Sequence, residues 1–381
     1  MEHNDINEPG PEENPFGSDD QKKITDNARL LFGTLKNDHL PAGDKELIWN
    51  RILDYVHTDG DLTKQNSLRR IAWYQAVAAA ALLLLFGLGY NRLKGNTEEA
   101  MRNAAKQASF TSADTKLILA DERTIDLKGK NSDVVYQKEV IRIDSQIIAR
   151  QIVPDNKSGL NTLVVPFGKR STIILPDGSK VWVNSGSKLV YPSNFQDGKR
   201  EVFLEGQAYF SVTHDTENPF YVQTKNMSIT VLGTEFDVSS YDDDSHSYAV
   251  LAKGSIDLVT EKNGIFGAKT TRMVPGTRAS YSGISNALQI NTVNVKEYIS
   301  WKDGYLILNK APLTEILKKL SRYYQYELRV QSPEIGRETF SGTLDLQENI
   351  GSVMEAIATA TSLSYNKTER RYILDKPVTQ K

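Results

Sequence analysis

Apolar positions change their spacing several times along the chain, and each change marks a boundary. Over residues 21–70 they recur at helical intervals: Ile24, Ala28, Leu31 and Leu35, then, after a Leu-Pro-Ala-Gly break at 40–43, Ile48, Ile52 and Tyr55. This predicts two short amphipathic helices. Between Ile71 and Tyr90 polar positions all but vanish, with Gln75 the one strongly polar side chain in IAWYQAVAAAALLLLFGLGY. At about 1.5 Å per residue that run reaches about 30 Å, the thickness of a hydrocarbon core, which predicts a single transmembrane helix. Trp73, Tyr74 and Tyr90 suit the two interfaces, and Arg69, Arg70, Arg92 and Lys94 close the run on both sides. The alternative is a buried core helix. The run begins too late and is too long for the apolar part of a cleaved signal peptide.

Residues 91–112 read as a polar, partly helical connector, and from about 113 to 292 the period falls to two. KLILA, STIIL, KVWVN, EVFLEG, PFYVQT, SITVLG and SYAVLAKG are rich in β-branched and aromatic residues, with turn signals at 177–178, 197–198, 254 and 276. This predicts an all-β, antiparallel domain, either a sandwich or a short irregular solenoid. A weak repeat supports paired hairpins: LILADERTIDL (117–127) aligns with IILPDGSKVWV (173–183). From 293 to 376 the pattern alternates. YLIL reads as a strand, and Leu313, Ile316, Leu317, Leu320 and Tyr324 form a helical stripe with Pro312 in its first turn. YELRV and ETFSGTLD read as strands, Ile350, Val353, Met354 and Ile357 as a second helix, and RRYIL as a closing strand. The predicted order is βαββαβ, an α+β unit. The chain is thus expected to be multi-domain, with a small α-helical segment and one membrane span ahead of these two domains.

Composition changes this picture at three points. Residues 1–20 hold seven acidic residues and no Lys or Arg, within a Pro/Gly/Asn-rich stretch that predicts a disordered acidic tail. The 381 residues carry a net charge of −2, so no basic bias points to direct contact with nucleic acid. Cys is absent, which excludes disulfides, thiolate metal sites and a cysteine nucleophile. Charge does not orient the span: Lys64, Arg69 and Arg70 before it balance Arg92, Lys94 and Arg102 after it. The helical pair at 21–70 is too small to bury a good core alone. Its apolar face, with Leu31, Phe32, Leu35, Ile48, Trp49 and Ile52, is either closed as a small bundle or offered to a partner, and the partner is preferred because nothing else before the span would cover it.

The densest motifs lie between 172 and 241: LPDGSKVWVNSGSKLVYPSNF, REVFLEGQAYFSVTHDTENPFYVQT and ITVLGTEFDVSSY. They resemble the periplasmic FecR domain of transmembrane anti-sigma regulators, with its L-P-D-G-S-x-V-W-L-N, G-E-A-Y-F-x-V, P-F and V-L-G-T-x-F-N-V segments. Gln207 stands where that family usually has Glu, and Asp237 where it usually has Asn; both read as harmless polar exchanges. Residues 300–375 are similar to the C-terminal domain that accompanies FecR, a relative of the short secretin and TonB-receptor signalling fold.

Most of these motifs read as structural. Pro176, Asp177 and Gly178 supply turn chemistry, and Trp182, Tyr209, Phe210, Phe220 and Phe236 read as core aromatics. Gly233 and Thr234 carry two readings. A Gly in a strand marks a bulge or a close backbone approach. Some FecR-like regulators, however, are cut at such a Gly-Thr pair, where the Thr hydroxyl attacks the preceding carbonyl, so self-cleavage at Gly233–Thr234 is the alternative. His3, His39, His57, His214 and His246 form no pair at metal-ligand spacing, and the acidic run 242–244 reads as a solvated turn rather than a cation loop. No enzyme, cofactor or metal is expected.

The resemblance implies an inner-membrane anti-sigma factor with residues 1–70 cytoplasmic, binding an extracytoplasmic-function sigma factor, and residues from 92 onward periplasmic. Its expected signal is the signalling domain of a TonB-dependent outer-membrane transporter, engaged somewhere within 301–375. The alternatives are a membrane-anchored periplasmic carbohydrate-binding module and a component of a secretion complex; against the latter, the secretin-like unit occurs once.

Overall fold

The computed structural model describes residue 50 and residues 97–377, apart from 111, 138–139, 144–145, 151–158, 197 and 261–269. The acidic tail, the six proposed sigma-binding residues Leu31, Phe32, Leu35, Ile48, Trp49 and Ile52, and the apolar run 71–90 lie outside the described residues. Among the described residues no helix is long and apolar enough to cross a membrane. Arg92–Lys381 forms one compact unit.

Period-two stretches become strands because alternate side chains must leave water together. In Met227–Val231 the buried positions are Met227, Ile229 and Val231; in Lys180–Val183 they are Val181 and Val183. Eighteen strands between Thr115 and Thr292 build the β domain. The long strand Arg200–Ser211 joins its two sheets. Its first half pairs with Ser187–Pro192 and Phe220–Gln223, and its second half with Lys180–Val183 and Glu235–Ser240. Both predicted hairpins of the repeat are present, Thr115–Ile118 with Thr124–Leu127 and Arg170–Ile174 with Lys180–Val183. The domain is not wholly antiparallel: Arg200–Ser211 runs parallel to Phe220–Gln223, and Asn131–Gln137 runs parallel to Arg170–Ile174. Neither parallel pair is a hairpin, so residue alternation carries no sign of its direction.

At the PDG turn Gly178 takes φ +82°, a conformation that a side chain would strain, while Asp177 accepts from Ser179 N and pairs with the buried Arg200 at 2.9 Å. Arg200 also donates to the carbonyls of Thr213 and Asn218, tying this turn to the loop before Phe220.

The stretch expected as a polar connector holds a helix over 97–107 that is docked on the β domain. Its Met101 and Ala105 are buried against Val190 and Phe203, and the buried Lys188 donates to the Ala105 carbonyl at 3.0 Å while pairing with Glu205. That lysine places a cation at the helix C-terminus, where unpaired carbonyls and the helix dipole favour one.

The C-terminal domain departs from βαββαβ in two ways. A short helix, Pro333–Arg337, interrupts the middle, and the chain closes with a hairpin of two strands, Ser364–Thr368 and Arg371–Asp375. Its strands form two sheets: Tyr305–Pro312 with Thr339–Asp345, and Glu327–Val330 parallel to Arg371–Asp375. Helix Leu313–Tyr324 buries Leu313, Ile316, Leu317 and Leu320 as their spacing requires, but its last buried residue is Tyr323 and the expected Tyr324 is half-buried; helix Ile350–Thr361 buries Ile350, Val353, Met354 and Ile357 as expected. Pro312 sits at the N-cap in extended conformation rather than inside the first turn, ending the strand and fixing the helix start.

Candidate functional site: the junction of the two domains

The residues that position the C-terminal domain on the β domain come from motifs with no evident functional reading on their own. Along Arg200–Ser211 successive side chains face opposite ways. Phe210 joins Phe220 and Phe236 in the β core, stacked on Phe236 at 5.1 Å, whereas Tyr209 belongs to the core of the C-terminal domain with Trp301, Leu306 and Leu317. Trp182 packs against that second core and lies 5.5 Å edge-on to Tyr209. Of the five predicted core aromatics, three fill the β domain and two form the seat of its neighbour.

At the centre of the junction lies Asp237, fully buried. Trp301 Nε1 donates to its Oδ1 at 3.0 Å and Gln207 Nε2 to its Oδ2 at 2.9 Å, while Asn184 Nδ2 donates to Gln207 Oε1 at 2.9 Å. The two departures from the family pattern are therefore two halves of one hydrogen bond. In this chain the carboxyl stands on the Asp237 side of that bond, toward Trp301. Burial pushes the Asp237 carboxyl up to about 7, against the opposing pull of its Gln207 and Trp301 donors.

Beside it the acidic run expected as a solvated turn forms a clamp. Arg322, on helix Leu313–Tyr324, donates to Asp243 Oδ1 at 2.6 Å and to both carboxylate oxygens of Asp244 at 2.7 and 3.1 Å, and its guanidinium lies 3.6 Å from the centre of the Tyr241 ring. Lys318, one turn earlier, pairs with the same two acids. The backbone contributes as well, with Gly168 N donating to the Arg322 carbonyl at 2.9 Å. A paired fork on a carboxylate, covered by an aromatic face, is among the strongest polar contacts a protein makes. The partners stand nearly eighty residues apart, so no local sequence signal announces them.

Gly233 and Thr234 lie just before strand Glu235–Ser240, whose register to His246–Lys253 shifts at Glu235/Phe236. A Cβ on Gly233 would stand 2.7 Å from His214 Cα, which gives this glycine a packing reason. Thr234 is buried and donates its hydroxyl to the Ser255 carbonyl at 3.0 Å. Among the described residues no group of three or more His, Cys, Asp or Glu is placed to hold a metal ion.

Residues 161–257 match the family described as FecR protein, and residues 305–374 match the one described as FecR, C-terminal. No curated protein matches the chain. Among solved structures, a candidate anti-sigma factor from Parabacteroides distasonis at 1.65 Å is 26% identical with a TM-score of 0.51, the match covering 56% of this chain and 98% of that one. A second structure so described, from the same organism at 2.50 Å, gives 26% identity and a TM-score of 0.52 over 57% and 99% of the two chains.

Proposed function

We propose that this chain, whose residues 161–257 and 305–374 match the FecR and FecR C-terminal families, is an anti-sigma factor: it holds a sigma factor through residues 21–70 on the cytoplasmic side of the inner membrane and is governed by its FecR and C-terminal domains outside. The observation that carries the reading is the order of parts. A FecR domain and a FecR C-terminal domain follow an apolar run long enough for one span, and the domains resemble a candidate anti-sigma factor over nearly all of that protein's length. A single span offers no pore, so what crosses the membrane is a change in structure or a cut in the chain.

In this proposal the sigma factor is of the extracytoplasmic-function class, and the signal is the loaded state of a TonB-dependent outer-membrane transporter. Its signalling domain engages the C-terminal domain. Strand addition is the simplest mode, because among the described residues Ser364–Thr368 pairs on one side alone and is largely exposed. Residues 1–70, made as a soluble fragment, are expected to capture a sigma factor from lysate, and Leu31→Asp or Ile52→Asp to abolish capture. Capture that survives both substitutions removes the apolar-face interface, and absence of any sigma factor removes the reading.

Self-cleavage belongs to the same proposal. Thr234 Oγ attacks the Gly233 carbonyl carbon, the C–N bond breaks to leave an ester and a free Thr234 amine, and water hydrolyses the ester to a Gly233 carboxylate and the restored hydroxyl. The register shift beside Thr234 is the feature that supports it. Purified Arg92–Lys381 is expected to run as two fragments, and its Thr234→Ala variant as one. A single intact band from the unaltered protein ends this part of the proposal.

A further inference from the structure

Strand Ala287–Thr292 ends one sheet of the β domain, and among the described residues it pairs with Thr277–Ser282 alone. An edge strand turns the N–H and C=O groups of alternate residues outward, ready to pair with another chain, and proteins ordinarily blunt such edges with charge, Pro or a covering element. This edge has none of these among the described residues. Its sequence ALQINT holds no charged residue and no Pro, the neutral run extends from Ala279 to Val295, and every residue of the strand but Leu288 is exposed. The other described strands that pair on one side alone are Thr124–Leu127, Gln146–Arg150, Thr270–Met273, Tyr305–Pro312, Glu327–Val330, Thr339–Asp345 and Ser364–Thr368, and each carries at least one charged residue in its sequence. The apolar side chains of the bare edge share one face. Ile290 stands opposite Ala279 and Leu288 opposite Tyr281, both members of the β core, so Leu288 and Ile290 continue the core-facing side of the sheet. Leu288 packs against that core, whereas Ile290 is left 40% exposed.

We propose that this edge is a homodimer interface, at which Ala287–Thr292 of two copies pair antiparallel and join two sheets into one. Its neutrality selects a second copy as the occupant. A strand paired with itself brings a charge close to its own like near the axis, a penalty this edge does not carry, and a neutral edge offers nothing to attract a charged partner strand. Symmetry supplies the second argument. Two identical antiparallel strands are related by a twofold axis normal to the sheet, so one residue sits on the axis and the same face of both copies lies on the same side. The two registers that keep most of the strand paired centre on Gln289 or on Ile290. The first sets Ile290 against the Leu288 of the second copy, and the other sets Ile290 against itself. Either register covers Ile290 with an apolar side chain and continues the β core across the joint. This inference rests on neither sigma-factor binding nor the transporter, and fails or stands separately from them.

The test uses purified Arg92–Lys381, a compact unit with its own cores, followed by sedimentation equilibrium. A dimer with a Kd of about 100 μM or tighter is expected, as suits a small joint of two strands. Ile290→Lys sets two ammonium groups against each other at the joint and is expected to weaken the dimer at least about tenfold. Cross-linking decides the matter even if that variant does not fold. The chain has no Cys, so a single introduced thiol can form a disulfide only with a second copy. Oxidation is expected to link Gln289→Cys or Ile290→Cys, whichever lies on the axis, faster than Ile284→Cys, which is 89% exposed but held away from its copy by the pairing. A monomer at every concentration up to about 500 μM, a dimer undiminished in a folded Ile290→Lys, or faster linking through Ile284→Cys overturns the proposal.

Discussion

Exchanging Gln207 and Asp237 together, to Glu and Asn, is expected to restore most of the stability that either exchange alone removes. In Asp237→Asn, one new amide N–H faces the Gln207 Nε2 that donated to the lost oxygen, and Gln207 has no free turn to offer because its Oε1 already accepts from Asn184. Two donors then share a dry site, costing about 1–3 kcal/mol. In Gln207→Glu, two carboxyls stand at a hydrogen-bond distance in a buried site, and one is forced to hold a proton. In the double variant the carboxylate introduced at position 207 accepts both from Asn184 and from the amide introduced at position 237, and each N–H has an acceptor again. The coupling energy in a double-mutant cycle is therefore expected to reach about 2 kcal/mol, well above the few tenths found for independent sites. Additive single effects would show that the two departures are unrelated after all. The cycle also carries a pH signature. Asp237 holds its proton up to about 7 in the folded chain and only to the ordinary carboxylate range, near 3.8, when unfolded. The raised group contributes stability that is complete below pH ~4 and lost as pH rises through 7, at about 1.4 kcal/mol per pH unit within that window. Asn does not titrate, so the deficit of Asp237→Asn relative to the unaltered chain is expected to shrink between pH 5 and pH 8.

The fold and the junction differ in how far they could be read from the chain. Strands such as Met227–Val231 and the helix Leu313–Tyr324 are written in local periodicity, since burial of one face is a local constraint. The stretch Ala208-Tyr209-Phe210 already held a clue to the junction: aromatics on both faces of a strand require both faces to be covered, and here one is covered by the β core and the other by the C-terminal domain. Parallel pairings were hidden, because alternation is the same whichever way the neighbour runs. So was the clamp. Asp243 and Asp244 look like a solvated turn until Arg322 arrives from a helix folded much later in the chain, and pairing at that range is a property of topology and not of sequence pattern. The junction pair Gln207–Asp237 could have been found, since two departures from a family pattern on strands that pair suggest a shared contact.

Replacing Arg322 by Ala is expected to loosen the junction more than any other single change on the β-domain-facing side of its helix. Asp244 is mostly buried and would lose both bonds from Arg322, while the Tyr241 ring would lose its cation; together these correspond to about 3 kcal/mol of docking, the range for breaking a largely buried pair. Lys318 still reaches Asp244 at 2.6 Å, which limits the loss and predicts that Arg322→Ala with Lys318→Ala exceeds the sum of the two. Arg322→Lys keeps the charge and gives up the fork, so it is expected to recover only part of the loss. The two acids are not equivalent: the Asp243 side chain is 66% exposed and that of Asp244 23%, so Asp243→Ala is expected to be nearly neutral and Asp244→Ala costly. Calorimetry reads the difference directly. One thermal transition for Arg92–Lys381 should separate into two in Arg322→Ala, as the β domain and the C-terminal domain melt on their own cores, and the segment Lys296–Asp303 between them should become open to protease. If signals reach the membrane through this junction, the same variant changes transcription from the sigma factor without altering capture by residues 1–70. A single transition at the unaltered Tm would mean that apolar packing of Tyr209 and Trp301 holds the domains together and that the clamp only sets their register.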